Sequence, residues 1–306
     1  MTIRSISPSE YRALFPPEDS HLFNSVDFAE LNAGRCDRIH YLVFADSKVR
    51  FGLIAGEREG KLFAPFSAPF ASFSYNSLQS IDAVDAAVDA LGRYGMPVQL
   101  FLPPTFYDPL MLPKFESALL RKATLLYSDL NYHISLKGFN KTDWTPEALA
   151  RVGAKARPRL KAALKTPFEV THRADPARAY AVIAANRAHK GYPLRMTLEQ
   201  VLATAPLACT EFIVMSLEGQ DVASAVVYHT APGIMQVVYW GDAPGFEALH
   251  PMQRFAYEVM HRCASLGSPI LDIGPASEDG IPSPGLCTFK ESIGCTPTLK
   301  PKFLIQ

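Results

Sequence analysis

The chain has 306 residues, of which 48% are hydrophobic and 20% charged, and its 30 basic and 30 acidic side chains give a formal net charge of zero. This composition excludes long disordered tracts and a coiled coil, and the neutral balance argues against a general attraction to nucleic acid or anionic membrane. The sequence has no apolar run of the roughly 18 residues that a membrane-spanning helix needs, no apolar signal core and no Cys-x-x-Cys spacing among its five cysteines. We therefore expect a cytoplasmic globular protein without disulfides or a metal site.

The first half of the chain predicts three strands, one helix and one further strand. Apolar alternation between turn residues indicates the strands, and apolar residues at helical spacing indicate the helix. The predicted ranges are 39–45, 49–55 and 61–64 for the strands, 81–94 for the helix and 98–102 for the last strand.

The second half repeats this order of elements. The predicted ranges are 211–217, 222–228 and 234–240 for the strands, 251–266 for the helix and 270–273 for the last strand. Gly95 and Gly267, which end the two helices, lie 172 residues apart, and the same offset carries Asp46 onto Glu218 in the equivalent turn. Two copies of one unit are the economical interpretation, with a chance match as the alternative. Further helices are predicted at 7–14, 26–32, 146–156, 158–164, 176–189 and 198–203, and a long strand at 125–136.

Several local segments carry a family resemblance, at residues 155–165, 186–191, 222–228, 239–242 and 285–294. The last of these, Gly-Leu-x-x-Phe-Lys-x-x-x-Gly, is the most specific. Together with the order of elements, they resemble the FemAB-like and BioF2-like branch of the GNAT N-acyltransferase superfamily. The resemblance implies an α/β fold of two tandem GNAT-like domains, at residues 1–140 and 141–306. Each would have a mixed, mainly antiparallel sheet flanked by helices, and the two would pack around a cleft.

The function that this resemblance implies is transfer of an acyl group from a thioester, with acyl-CoA as co-substrate, to an amine acceptor. Two departures from the family pattern keep alternatives open. The usual glycine-containing pyrophosphate loop is not recognisable at residues 246–254, and no stretch supplies the long paired helices of the peptidoglycan-bridge enzymes. The alternatives are an aminoacyl-tRNA-dependent transferase and a non-catalytic, ligand-binding protein.

The donor site is expected at the end of the third strand and the start of the following helix in the second half. The resemblance implies a catalytic role for Tyr239 and a donor contact for Trp240. The N–H groups of Met252, Gln253 and Arg254 would face an anion, because a helix N-terminus attracts negative charge. An ordinary hydrated helix start is the equally weighted alternative.

Asp272 and Lys290 are the other predicted catalytic residues. Asp272 lies on an apolar strand, where a carboxylate is kept mainly when it is paired or has a chemical task; a structural hydrogen bond to a loop amide is the alternative. Lys290 follows a loop at 275–285, and the resemblance implies that it contacts a donor phosphate or the reacting carbonyl. The alternative for Lys290 is a surface ion pair with Glu291 or Glu278.

The acceptor is expected near the end of a helix in the second half. The resemblance implies that His189, Tyr192, Arg195 and Asp242 bind the amine substrate between the two units. Basic residues in a last helical turn are also expected from the helix dipole alone. The basic segment 151–165, with six cations and no acidic residue, predicts a solvated helix face, with the phosphates of CoA or of a tRNA end as possible partners.

Overall fold

The computed structural model describes residues 1–17 and 21–306. The helices are α1 (Pro8–Leu14), α2 (Val26–Leu31), α3 (Ile81–Gly92), α4 (Leu112–Lys122), α5 (Thr145–Arg151), α6 (Arg157–Ala163), α7 (Pro176–Lys190), α8 (Leu198–Thr204), α9 (Pro251–Ser265) and α10 (Pro284–Ser292). The strands are β1 (Thr2–Ser5), β2 (Arg38–Ala45), β3 (Val49–Arg58), β4 (Lys61–Ala64), β5 (Val98–Phe101), β6 (Thr124–Ser135), β7 (Glu169–His172), β8 (Glu211–Leu217), β9 (Gln220–Ala231), β10 (Ile234–Asp242), β11 (Ile270–Pro275), β12 (Ser277–Glu278), β13 (Ile281–Pro282) and β14 (Thr296–Ile305).

The described residues form two compact units. The first unit comprises Met1–Asn131, Ser277–Ile281 and Thr298–Gln306, and the second comprises Tyr132–Ala276 and Pro282–Pro297. Both units therefore contain segments that are distant from one another in the sequence.

The sheet of the first unit has the strand order β1-β2-β3-β4-β5-β14. β4 and β5 are parallel, and the other neighbours in this order are antiparallel. A parallel pair needs a crossover connection, which α3 supplies. Its N-cap is Ser80, whose hydroxyl accepts the Ala83 N–H, and its apolar side chains Val84, Val88 and Leu91 are buried in the core of this unit.

The sheet of the second unit has the strand order β11-β10-β9-β8-β7. β10 and β11 are parallel, and the remaining neighbours are antiparallel. Strand order and direction thus match those of β5-β4-β3-β2-β1 in the first unit, with α9 as the crossover in place of α3. The predicted repeat of one strand–strand–strand–helix–strand unit is confirmed.

The helix predicted at 146–156 is wrong in its second half, because α5 ends at Arg151. Val152 is extended, and the Gly153 N–H donates to the Ser292 carbonyl instead of continuing the helix. Within the described ranges, no helix combines the length and the apolar character needed to cross a membrane.

Candidate functional site

Strands β10 and β11 of the second unit part after a short stretch of pairing. They pair in parallel at three positions, and the last pair joins Gln236 to Asp272. β10 continues to Asp242, with an irregularity against β9 between Val237 and Tyr239. The C-terminal end of β10 therefore lies beyond its last pair with β11, which is where the sequence predicts the donor site.

In the first unit, the chain itself fills the space beyond the last pair of the corresponding strands. β4 and β5 also pair at three positions, ending with Ala64 and Leu100. Beyond them, the Ala71 N–H donates to the Phe101 carbonyl oxygen at 2.9 Å, and the neighbouring Phe70 side chain is fully buried. We therefore place the candidate site in the second unit.

Asp272 lies at the point where β10 and β11 part. Its side chain is fully buried. One carboxylate oxygen accepts the Gln236 Nε2–H at 2.8 Å, and the other accepts the Gly274 N–H at 2.9 Å. Gly274 has a φ of +78°, a conformation that favours glycine. Asp272 thus helps to fix the left-handed conformation of Gly274 near the end of β11, and its predicted catalytic role remains a prediction.

Lys290 is held against the end of β11. Its side chain lies on α10 and is 4% exposed, and its ammonium donates to the carbonyl oxygens of Ile273, Gly274 and Pro275 at 3.2, 2.8 and 2.8 Å. The Tyr132 ring lies 5.6 Å from the ammonium. Lys290 is therefore a buried residue that fixes the β11 end, and its predicted contact with a donor remains a prediction.

Protein groups already contact the start of α9, where the sequence predicts a phosphate site. His250 precedes the helix in the left-handed region with a φ of +53°, and the Gln253 N–H donates to its carbonyl oxygen at 3.1 Å. The Arg254 guanidinium donates to Glu258 and to the Thr166 carbonyl at 3.1 and 2.9 Å, and it also bonds to the Phe168 carbonyl. The Glu258 carboxylate thus already compensates its positive charge, and the donor contacts of Met252, Gln253 and Arg254 stay predictions.

Hydrogen bonds to Asp242 connect the end of α7 to the end of β10. The Asn186 amide donates to the Asp242 carbonyl and carboxylate at 2.7 and 3.0 Å, and the Lys190 ammonium lies 3.0 Å from the same carboxylate. A Cβ at Gly241 would lie 2.6 Å from Asn186 Cγ, so only glycine permits this approach. Gly191, with a φ of +67°, ends the helix at this point.

Tyr239, Tyr192 and Arg195 are brought together beside this junction. The Met196 N–H donates to the Tyr239 hydroxyl at 3.2 Å, and the Arg195 backbone also hydrogen-bonds it. Burial raises the pKa of Tyr239, which therefore stays protonated at neutral pH. The Arg187 guanidinium lies 5.7 Å from the Tyr239 ring and 5.9 Å from the Tyr192 ring.

The remaining predicted residues lie at the margin of this group. His189 is exposed, with its ring 4.0 Å from Glu247. The Trp240 ring packs edge-on against Phe289, with a centroid separation of 5.9 Å.

Arg187 is the residue that the sequence interpretation missed. It lies four residues after Ile183, which is buried on α7, so helical spacing places it on the same face of the helix. The sequence signal that could have singled out Arg187 is a cation on a helix face that carries apolar residues.

The whole chain is similar to solved structures with the same architecture. FemX matches with a TM-score of 0.66 and 11% identity, over 100% of this chain and 97% of that chain. A conserved protein of unknown function from Bacteroides thetaiotaomicron matches with a TM-score of 0.60 and 11% identity, over 99% of both chains. L-PGS from Bacillus licheniformis matches with a TM-score of 0.58 and 10% identity, over 98% and 92%.

No protein-family model matches the chain, and no curated protein does. At identities this low, the likeness shows the fold alone. The chain has an α/β fold of two repeated units, each with a mixed, mainly antiparallel sheet and accompanying helices, as the sequence predicts.

Proposed function

We propose that the second unit carries an acyltransferase site, which moves an acyl group to an amine where β10 and β11 part. This proposal rests on one observation: the parallel strands β10 and β11 pair at only three positions. Backbone groups at the end of β10 are then directed at a ligand instead of a neighbouring strand. FemX and L-PGS share this fold, which agrees with the N-acyltransferase resemblance of the sequence.

The chemistry requires stabilisation of the oxyanion and a route for protons. In the transfer, the amine nitrogen bonds to the carbonyl carbon, the ester or thioester bond breaks, and the amine loses one proton. Backbone N–H groups at the end of β10 would stabilise the oxyanion. Tyr239 accepts the Met196 N–H and remains protonated, so its hydroxyl proton would go to the departing oxygen or sulfur. The proton that the amine loses would then return to the Tyr239 phenolate and restore the hydroxyl.

The surface of α6 favours an RNA-borne donor over acyl-CoA. Five cations on and beside this helix are exposed and form no ion pair with any residue in the described ranges: Lys155, Arg157, Arg159, Lys161 and Lys165. Leu160 and Ala163 of α6 are buried, and the exposed face carries these cations together with the small apolar residues Pro158 and Ala162. Such a face suits the phosphates of an aminoacyl-tRNA, whereas Arg254, at the predicted CoA site, is engaged by protein groups.

A donor panel tests this proposal. The protein is incubated with charged tRNA or with acyl-CoA esters in the presence of mixed amino acids and amino sugars, and mass spectrometry measures acylated amines. We expect a product with charged tRNA. A product formed only with acyl-CoA would show that the donor is a thioester. If neither donor gives a product at concentrations where it binds, the result would favour a non-catalytic protein.

A further inference from the structure

Arg187 is a cation without an anionic partner among the residues that the structure describes. Its Nε is buried and has no hydrogen-bond partner among the residues described, and the same residues offer its guanidinium no carboxylate within ion-pair distance. The Tyr192 and Tyr239 rings lie 5.9 and 5.7 Å from its guanidinium carbon. Burial lowers the pKa of Arg187, which is the direction expected for a charge that is desolvated and not compensated.

The acidic residues at this end of α7 are already paired. Asp242 accepts from Lys190 and Asn186, and Glu247 lies against His189. Retaining a half-buried guanidinium without an anion costs free energy. A ligand that supplies the anion would recover this cost, and it would meet a planar donor that matches carboxylate and phosphate geometry.

We propose that Arg187 binds an anionic group, a carboxylate or a phosphate, on the substrate that enters between the Tyr192 and Tyr239 rings. This inference rests on the proposed function for the identity of the site, because Tyr239 is its predicted proton donor. It adds the substrate class: the amine or the donor carries a carboxylate or phosphate near its reacting group.

The test uses simple anions as probes and the melting temperature as the readout. The parent protein, Arg187→Met and the control Arg173→Met, which removes an exposed cation of the same unit, are melted in potassium chloride, acetate and phosphate at equal ionic strength. We expect phosphate or acetate to raise the melting temperature of the parent and of the control, and not of Arg187→Met. Whichever of the two anions produces the shift identifies the ligand chemistry. Equal shifts in all three proteins would overturn the inference.

In chloride alone, Arg187→Met is expected to melt at or above the temperature of the parent, since the substitution removes an uncompensated charge. A large drop would show a structural role instead and would overturn the inference. Arg187→Lys keeps the positive charge but loses the planar guanidinium group. Calorimetric titration with the stabilising anion should show an affinity at least tenfold weaker than that of the parent protein. An unchanged affinity would again contradict the proposal.

Failure of this inference differs from failure of the proposed function. Anion binding through Arg187 without any transfer activity would leave the inference standing and remove the acyltransferase assignment. If the protein is active and Arg187→Met leaves the KM unchanged, the acyltransferase assignment would stand and the role of Arg187 would be wrong.

Discussion

The Lys290 ammonium lies 2.8 Å from the carbonyl oxygen of Gly274, at the end of β11. Two further carbonyl oxygens, from Ile273 and Pro275, accept from the same ammonium. A lysine with these partners is part of the interior of the second unit, and it orients the three peptide groups that follow Asp272.

Replacing Lys290 with Met should therefore destabilise the protein, because buried carbonyl groups lose a charged donor. We expect a loss of about 3 kcal/mol in the free energy of unfolding, measured by urea denaturation. Lys61→Met, at an exposed lysine, is the control and should change it by less than about 0.5 kcal/mol. Equal stability of the two variants would show that the three hydrogen bonds contribute nothing.

A second prediction concerns the approach of α7 to β10. Gly241→Ala places a methyl group within 2.6 Å of Asn186 and should cost about 1–3 kcal/mol by overpacking. Gly285→Ala is the matched control, since its Cβ would meet nothing within 4 Å. Thermal denaturation of both variants measures the difference, and a Gly241→Ala variant as stable as the control would contradict the close packing.

A third prediction concerns pH. Burial lowers the pKa of His21 from 6.5 to about 3, so the folded state binds fewer protons than the unfolded state between these values. Stability should then fall as the pH drops below about 6.5, and His21 should account for about 2 kcal/mol between pH 7 and pH 5.

Urea denaturation of the parent and of His21→Gln at pH 7, 6 and 5 isolates this contribution, since the other histidines are common to both. The glutamine retains a group for the Ser72 hydroxyl, which lies 3.0 Å from His21 Nε2. The variant should lose less stability than the parent on acidification. Parallel pH profiles would mean that His21 is not buried in its neutral form.

Much of the fold could be predicted because its signals are local. The strands and crossover helices of both units follow from alternation, helical spacing and turn residues, and the predicted β4 and β8 coincide with the observed ranges. β14 was not predicted, since it completes the sheet of the first unit by pairing with β5, a partner that is distant in sequence. α4 was missed although Phe115 and Leu119 repeat at helical spacing.

The site was harder to predict than the fold. The positions of Tyr239, Tyr192 and Asp242 at the ends of β10 and α7 could be predicted, and their roles remain predictions. The environments of Lys290 and Arg187 depend on which backbone groups and rings surround them, which a residue type does not encode. Lys290 is buried, whereas the surface ion pair that the sequence allows would leave it exposed. Arg187 lies near two aromatic rings, and the sequence predicted no partner for it.

A fourth prediction follows from the exposed cations of α6. A double substitution, Arg157→Glu with Lys161→Glu, should weaken binding of charged tRNA and reduce the slope of log affinity against log salt concentration by about 2. Lys48→Glu, at an exposed position in the first unit, is the control. Fluorescence anisotropy at several salt concentrations gives both quantities, and identical slopes for variant and control would remove α6 from the donor site.

Hydrogen exchange with and without donor tests the central claim most directly, because it needs no knowledge of the acceptor. If the acyl donor binds where β10 and β11 part, charged tRNA should slow exchange of the amides at residues 239–242 and 270–275, together with those at the end of α7. Protection confined to the first unit, or none at these segments with a donor that demonstrably binds, would contradict the assignment of the site.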